Sequence, residues 1–303
     1  MPRKKKRKLN LRRFIVSLLI VLTLAFVCKY IVSTADWDMP GGTGMYDMVL
    51  HSPNAILLRL DNHKVLMEKN SDQKIYPASL TKIMTAVVAI EQLNDLQDNI
   101  QLPNSMFQEL YKADASMAGF LPGEEVRASD LLYGVMLPSG AECCIGLAEH
   151  IAGSESGFVA LMNKKADSLK MNNTHFTNTT GLHDDNHYTT VKDLSVLLSY
   201  ALKNKTFKEI FTSSRYSTAP TNKHPGGITF KSTLFKNLES PVFEGGSILG
   251  GKTGYTVKAG LCLASLAEKN GRDYILVTAG ARGDHESEQY NIEDAYAVYS
   301  GLK

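Results

Sequence analysis

Pro77-Ala78-Ser79-Leu80-Thr81-Lys82-Ile83-Met84-Thr85 is the stretch on which the reading of this chain turns. Leu80, Ile83, Met84, Val87 and Val88 recur at helical spacing, which predicts a helix near 79–94. Pro77, just before it, suits a helix start. Ser79 and Lys82 then share one face of the first turn, where an amine can reach a hydroxyl. A serine hydroxyl is a weak nucleophile until a base takes its proton. A lysine can be that base where burial or a neighbouring cation lowers its pKa. The helix N-terminus adds partial positive charge and free N–H groups. The pattern alone is not specific, for Ser71-Asp72-Gln73-Lys74 matches it too. That match lies in the polar run Lys69-Asn70-Ser71-Asp72 and reads as a loop. The plainer alternative at Ser79 is a helix cap beside a solvated Lys82.

Far downstream, Ser247-Ile248-Leu249-Gly250-Gly251-Lys252-Thr253-Gly254-Tyr255-Thr256 reads as a strand. The strand-like runs Leu261 to Leu266 and Tyr274 to Gly280 follow, which predicts an antiparallel meander. Gly254 permits a ligand to approach the strand backbone. Lys252 and Thr253 offer a cation and a hydroxyl to an anionic group such as a terminal carboxylate. Alone, this is equally a glycine-punctuated hairpin with an exposed lysine. Ser139-Gly140-Ala141 lies between the two stretches. Read in order, the three point to an active-site serine that attacks an amide through an acyl-enzyme.

The rest of the chain fits around them. Ala55 to Leu60 and Lys64 to Glu68, separated by Asp61-Asn62-His63, predict a hairpin. From Ser79 to about Lys205 the pattern is mainly helical, with further helices near 129–137, 141–151, 155–170 and 190–203. Asp130 and Ser154 lie near plausible helix starts. Strand patterns resume after Gly226, and Glu286 to Leu302 closes as a helix. The fold class expected is α/β (α+β): an antiparallel sheet flanked by helices, with an all-helical domain of about 85–225 inserted. The active site would lie where the two parts meet.

The formal net charge of +2 conceals an asymmetry. Residues 1–29 hold nine basic side chains and no acidic one; taking these from the 33 in the whole chain leaves 24 against 31 acidic residues, a formal −7. The basic run resembles a nucleic-acid arm, but it leads directly into the uncharged stretch Phe14 to Cys28. A membrane segment explains both features, and no nucleic-acid partner is expected. The expected layout is a cytoplasmic tail at 1–13, a transmembrane signal-anchor at 14–32, a linker at 33–52 and a catalytic domain at 53–303. Ser33-Thr34-Ala35 could instead be a cleavage site, releasing the domain. Both readings put the domain outside the cytoplasm. Cys28 falls in the membrane segment; Cys143, Cys144 and Cys262 read as buried thiols. His183-Asp184-Asp185-Asn186-His187 invites a metal, but a loop closed by side-chain hydrogen bonds is the preferred reading. No metal or other cofactor is expected.

With these residues quoted, the chain from about Ala55 onward resembles the serine D-alanyl-D-alanine carboxypeptidases, the low-molecular-weight penicillin-binding proteins. Residues 77–85, Ser139-Gly140, Glu149-His150-Ile151-Ala152-Gly153-Ser154-Glu155, Asn178-Thr179-Thr180-Gly181-Leu182 and Gly251-Lys252-Thr253-Gly254-Tyr255-Thr256 carry the resemblance. It implies a β-lactamase/transpeptidase-like fold, with Ser79 as nucleophile and Lys82 as its base. Ser139 would relay a proton to the departing amine. Lys252 and Thr253 would hold the substrate carboxylate beside Gly254. The N–H groups of Ser79 and Tyr255 would form an oxyanion hole, worth about 3 kcal/mol per donor. The implied substrate is a peptidoglycan stem peptide ending in D-Ala-D-Ala, and β-lactam antibiotics would acylate the same serine. A β-lactamase, or a non-catalytic wall-binding or sensor domain, are the rival readings. One position departs from the pattern: the family's Ser-x-Asn reads Ser139-Gly140-Ala141 here, which removes an amide. The neighbouring Glu142 reads as a helix-start glutamate favoured by the dipole.

Overall fold

The computed structural model describes residues 48–303. The predicted tail, membrane segment and most of the predicted linker lie outside the described residues. Among the described residues no helix is long and apolar enough to cross a membrane.

The first apolar runs form the predicted hairpin, β1 (Asn54–Arg59) and β2 (Val65–Lys69). Then come α1 (Thr81–Gln92), β3 (Asn99–Gln101), α2 (Asn104–Lys112) and β4 (Glu125–Arg127). The helical run continues through α3 (Ala128–Met136), α4 (Ala141–Ala152), α5 (Glu155–Ser168), α6 (Val191–Ala201) and α7 (Lys205–Thr212). A second small hairpin, β5 (Arg215–Ser217) and β6 (Thr229–Lys231), leads to α8 (Thr233–Asn237). β7 (Val242–Phe243), β8 (Gly246–Thr256), β9 (Gly260–Lys269), β10 (Arg272–Ala281) and α9 (Tyr290–Ser300) complete the chain.

The expected helices and meander are present, with ends moved by a few residues. The inserted part is not wholly helical, for it also carries the pairs β3–β4 and β5–β6. Sequence reading passed over α2, α7 and α8. α7 is a short amphipathic helix whose Phe207, Ile210 and Phe211 are buried, started by Asn204, whose side chain accepts from the Phe207 N–H. Ser154 caps α5 as expected, accepting from the Gly157 N–H at 3.1 Å. Asp130 lies in the first turn of α3 and pairs with Arg127 at 3.0 Å.

Six antiparallel strands form the main sheet, in the order β2-β1-β10-β9-β8-β7. Both faces are covered. Ile56 and Leu58 join the core shared with the inserted helices, while Ala55 and Leu57 join the core under α9. A strand covered on both faces reads as a continuous apolar run rather than an alternation, as β1 and β9 do. The β9–β10 turn is Asn270-Gly271, with φ of 53° and 76°, the left-handed pair a tight hairpin needs. α1 is the central helix of the inserted part: Thr81 through Ala89 are all buried. Its N-terminus meets β8, which brings the two distant motifs together.

The stretch read as a linker is bound at its described end. The His51 and Ser52 N–H groups each donate to the Asp294 carboxylate of α9 at 2.8 Å, and Leu50 is buried. A partner 242 residues away in sequence left no local signal.

Candidate active site

The helix predicted from residue 79 begins differently. Ala78–Leu80 is a 3₁₀ turn, and the α-helix starts at Thr81. Ala78 takes φ 48°, a left-handed conformation costly for a residue with a Cβ. The tight turn leaves Ser79 half-buried at the cleft, and its hydroxyl caps nothing. Lys82 Nζ lies 3.1 Å from Ser79 Oγ and donates to the Thr180 carbonyl at 2.7 Å. Lys82 is 2% exposed, and burial lowers its pKa against the opposing pull of Cys144, Glu142 and Cys143. The thiols supply little of that pull near neutrality, because burial holds them uncharged; Cys144 is pushed up to about 12. Burial thus eases loss of the Lys82 proton, which suits an amine that faces a hydroxyl.

A second lysine sits beside it. Lys252 is fully buried, and its Nζ donates to Ser139 Oγ at 2.9 Å and to the Thr253 carbonyl at 2.8 Å. Burial first, and the charge of Lys82 second, push its pKa well down. Ser139 has φ 69°, at a strain of about 1–3 kcal/mol. Thr253 and Thr233 share a hydrogen bond at 2.7 Å.

Two cavities meet at Ser79. One, of about 490 Å³, is lined by Lys82, Ser116, Gly181, His183 and Tyr255 among others. The other, of about 280 Å³, is lined by Ser139, Thr233, Lys236, Thr253 and Gly254 among others. Lys252 lines neither, since its ammonium lies behind Ser139 and Thr253. The exposed cation on the second cavity is Lys236, which sequence reading passed over.

Two glycines press on the serine turn. A Cβ on Gly254 would lie 3.0 Å from the Ser79 nitrogen. A Cβ on Gly181, whose φ is 81°, would collide with the Ala78 carbonyl. Neither position admits a side chain without moving the turn that carries Ser79. The loop carrying Gly181 is organised by Asn178, whose Oδ1 accepts from the Gly181 N–H at 2.7 Å and whose Nδ2 donates to the Leu182 carbonyl at 2.9 Å. An asparagine ahead of a glycine was the readable signal there. Thr179 is held from both sides, by Glu155 at 2.7 Å and by the Thr85 hydroxyl at 2.7 Å.

Opposite lies the Ser139-Gly140-Ala141 wall. Glu142 occupies the first turn of α4 as expected, but it is fully buried and turned inward. Its Oε1 accepts the N–H groups of Ala118, Gly119 and Phe120 at 2.7, 2.9 and 3.3 Å. Its Oε2 has no partner among the described residues, and burial raises its pKa against those three N–H groups. The carboxylate thus pins the segment that presents Ser116 to the cleft. The Ala141 N–H donates to the Ser116 carbonyl at 2.8 Å, so this segment lies alongside the missing amide.

The competing motif takes no part. Ser71 donates to Glu68 at 2.9 Å, and the Lys74 ammonium stands 3.3 Å over the Tyr188 ring. The two histidines of residues 183–187 separate: His183 pairs with Asp185 at 3.3 Å on the cleft rim, while His187 is buried. Within that loop the Asn186 N–H donates to Asp184 Oδ1 at 2.7 Å. Cys143, Cys144 and Cys262 are free and buried.

Comparison with known proteins places the chain among D-alanyl-D-alanine carboxypeptidases. The family described as D-alanyl-D-alanine carboxypeptidase matches residues 44–283. D-alanyl-D-alanine carboxypeptidase DacF of Bacillus subtilis is 32% identical over 275 residues, covering 89% of this chain and 67% of that protein. DacA of Escherichia coli is 30% identical, over 87% of this chain and 64% of its own length. Among solved structures, the Streptomyces K15 DD-transpeptidase superposes with a TM-score of 0.74 at 27% identity, over 84% of this chain and 97% of that one. A D-alanyl-D-alanine carboxypeptidase from Mycobacterium tuberculosis gives 0.73 at 25%, over 88% and 97%. The matched range spans the serine turn, the Ser139 wall and the Lys252 strand, and the chain belongs to the D-alanyl-D-alanine carboxypeptidase family of serine peptidases.

Proposed function

We propose that this protein removes the terminal D-alanine from peptidoglycan stem peptides ending in D-Ala-D-Ala, through an acyl-enzyme on Ser79. The observation that carries the reading is the 3.1 Å approach of a buried Lys82 amine to the Ser79 hydroxyl at the floor of a cleft. Lys82 takes the serine proton as Oγ attacks the carbonyl carbon of the penultimate residue. The developing oxyanion is met by the N–H groups of Ser79 and Tyr255. The proton passes through Ser139 to the departing amine, the C–N bond breaks and D-alanine leaves. Water then attacks the ester and returns the proton to the serine.

Lys252 contributes differently from the sequence expectation. Its bonds to Ser139 and the Thr253 carbonyl suit a donor that holds Ser139 from beneath. Direct contact with the substrate carboxylate falls to Thr253 and the exposed Lys236. Penicillins would acylate Ser79 as the peptide does and leave it slowly. The basic run followed by the apolar stretch 14–32 supports a single-pass anchor with the catalytic domain on the extracytoplasmic side, where this substrate lies.

The test is intact mass of the full chain in detergent after brief exposure to penicillin, with Ser79→Ala beside it. A stable adduct on the wild type alone is expected. Penicillin destroyed without an adduct would make the protein a β-lactamase. Intact penicillin with no adduct, and no D-alanine released from a D-Ala-D-Ala peptide, would leave a non-catalytic wall-binding domain.

A further inference from the structure

His187 is nearly fully buried and lines neither cavity at Ser79, so no catalytic step reaches it. Its bonds nevertheless lead to the nucleophile. The Thr177 N–H donates to His187 Nδ1 at 3.0 Å. A ring nitrogen that accepts from an amide carries no proton, so the proton is on Nε2. Nε2 lies 2.8 Å from Thr81 Oγ1 and donates to it. Thr81 Oγ1 in turn donates to the Ala78 carbonyl at 2.8 Å. Each hydrogen in this chain has one available direction, and Thr81 is fully buried.

The Ala78 carbonyl belongs to the peptide whose N–H is that of Ser79. A peptide unit is planar, so fixing the C=O direction fixes the N–H opposite it. The unit needs fixing, because Ala78 holds φ at 48° and a relaxed backbone would turn the plane. Gly181 closes the remaining side, its Cα lying over the same carbonyl.

The geometry points to His187 and Thr81 as a positioning pair that aims the Ser79 N–H at the oxyanion from behind the nucleophile. This rests on the reading of Ser79 as the nucleophile and of its N–H as an oxyanion donor. Neither residue touches substrate. Their contribution is to hold one donor in place before the reaction, where most of the value of such a donor lies.

The experiment compares wild type, Thr81→Val, Thr81→Ser, His187→Phe and Ser79→Ala as full chains. It measures the second-order rate of acylation by penicillin, kcat and KM on a D-Ala-D-Ala peptide, and the Ki of a boronic acid. A boronic acid forms a tetrahedral adduct with an active-site serine and places an oxygen in the oxyanion hole. Thr81→Val and His187→Phe are expected to slow acylation about 10- to 100-fold and to weaken the boronate in proportion, with KM within about twofold. Thr81→Ser, which keeps the hydroxyl, is expected to restore the rate to within about threefold. Folded Thr81→Val acylating at the wild-type rate would overturn the pair. So would a rise in KM with kcat unchanged, since that marks a structural loss. If Thr81→Val fails to fold, Thr81→Ser against His187→Phe decides by the same split. A wild type inert to penicillin and peptide sinks this inference together with the function it rests on; a reactive wild type with equally reactive variants sinks the pair alone.

Discussion

The two walls of the cleft are built on opposite plans. On the wall of residues 78–82 and 177–187, backbone is pressed against backbone through Gly181 and Gly254, and buried side chains hold it from behind. On the wall of residues 116–142, exposed Ser116 and the small Ala141 face the space, and a single buried carboxylate, Glu142, anchors the segment. On the first wall the side chains serve geometry, for their bonds fix the backbone around Ser79. The second holds the site's one departure from the family pattern. A side chain fits on the second wall, whereas on the first a Cβ at Gly181 would meet the carbonyl of the Ala78–Ser79 peptide.

Gly181→Ala attacks the first wall most directly, and its expected effect is the largest. The new Cβ meets the Ala78 carbonyl at a residue with φ 81°, so the serine turn must shift. We expect penicillin acylation at least 100-fold slower and stability about 3 kcal/mol lower, read by intact-mass kinetics and thermal melts. Near-normal acylation would mean that the wall is not the fixed element described here.

The same wall should carry a signature in acid. Burial lowers the His187 pKa from 6.5 to about 4, so the unfolded chain takes up a proton below about pH 6.5 that the folded chain refuses until about pH 4. Stability is therefore full above that window and falls as pH drops through it, by about 3 kcal/mol from this group alone. His187→Phe should remove that component of the slope in melts run between pH 7 and pH 4. A slope unchanged from wild type would mean that the imidazole is hydrated.

The smallest expected effect belongs to the open side. Lys236→Ala should lower kcat/KM about tenfold for peptides with a free C-terminal carboxylate and leave amidated analogues unchanged, the loss of one screened ion pair. Equal losses on both would return the carboxylate to Lys252 and erase the distinction between a lysine that holds Ser139 and one that grips the ligand.

Much of this was legible beforehand. The hairpin, the meander and the main helices follow from periodicity, and Ser79, Lys82, Ser139 and Lys252 converge as their motifs suggest. What stayed hidden were groups whose partners are remote. Glu142 looked like a dipole-favoured helix start, because nothing local announces that residues 118–120 will fold over it. His187 read only as part of a loop closed by side-chain hydrogen bonds, because burial against Thr81, 106 residues away, is a tertiary fact. Lys236 was hidden by its short helix, and the burial of Lys252 behind Ser139 and Thr253 cannot be read from Lys-Thr-Gly. Spacing reveals which residues meet; it does not reveal which face of each is left for the ligand.

The Asp294 clamp bears on how this molecule takes mechanical load. Its carboxylate grips the N–H groups of His51 and Ser52 just before β1 enters the sheet. Tension arriving along the chain from the N-terminal side is taken up there, in shear, between that clamp and the zipper of β1 against β10. β10 and β9 separate this path from β8 and the serine turn. Load entering at residue 51 thus meets the sheet with two strands between it and the strand that carries Lys252 and Gly254.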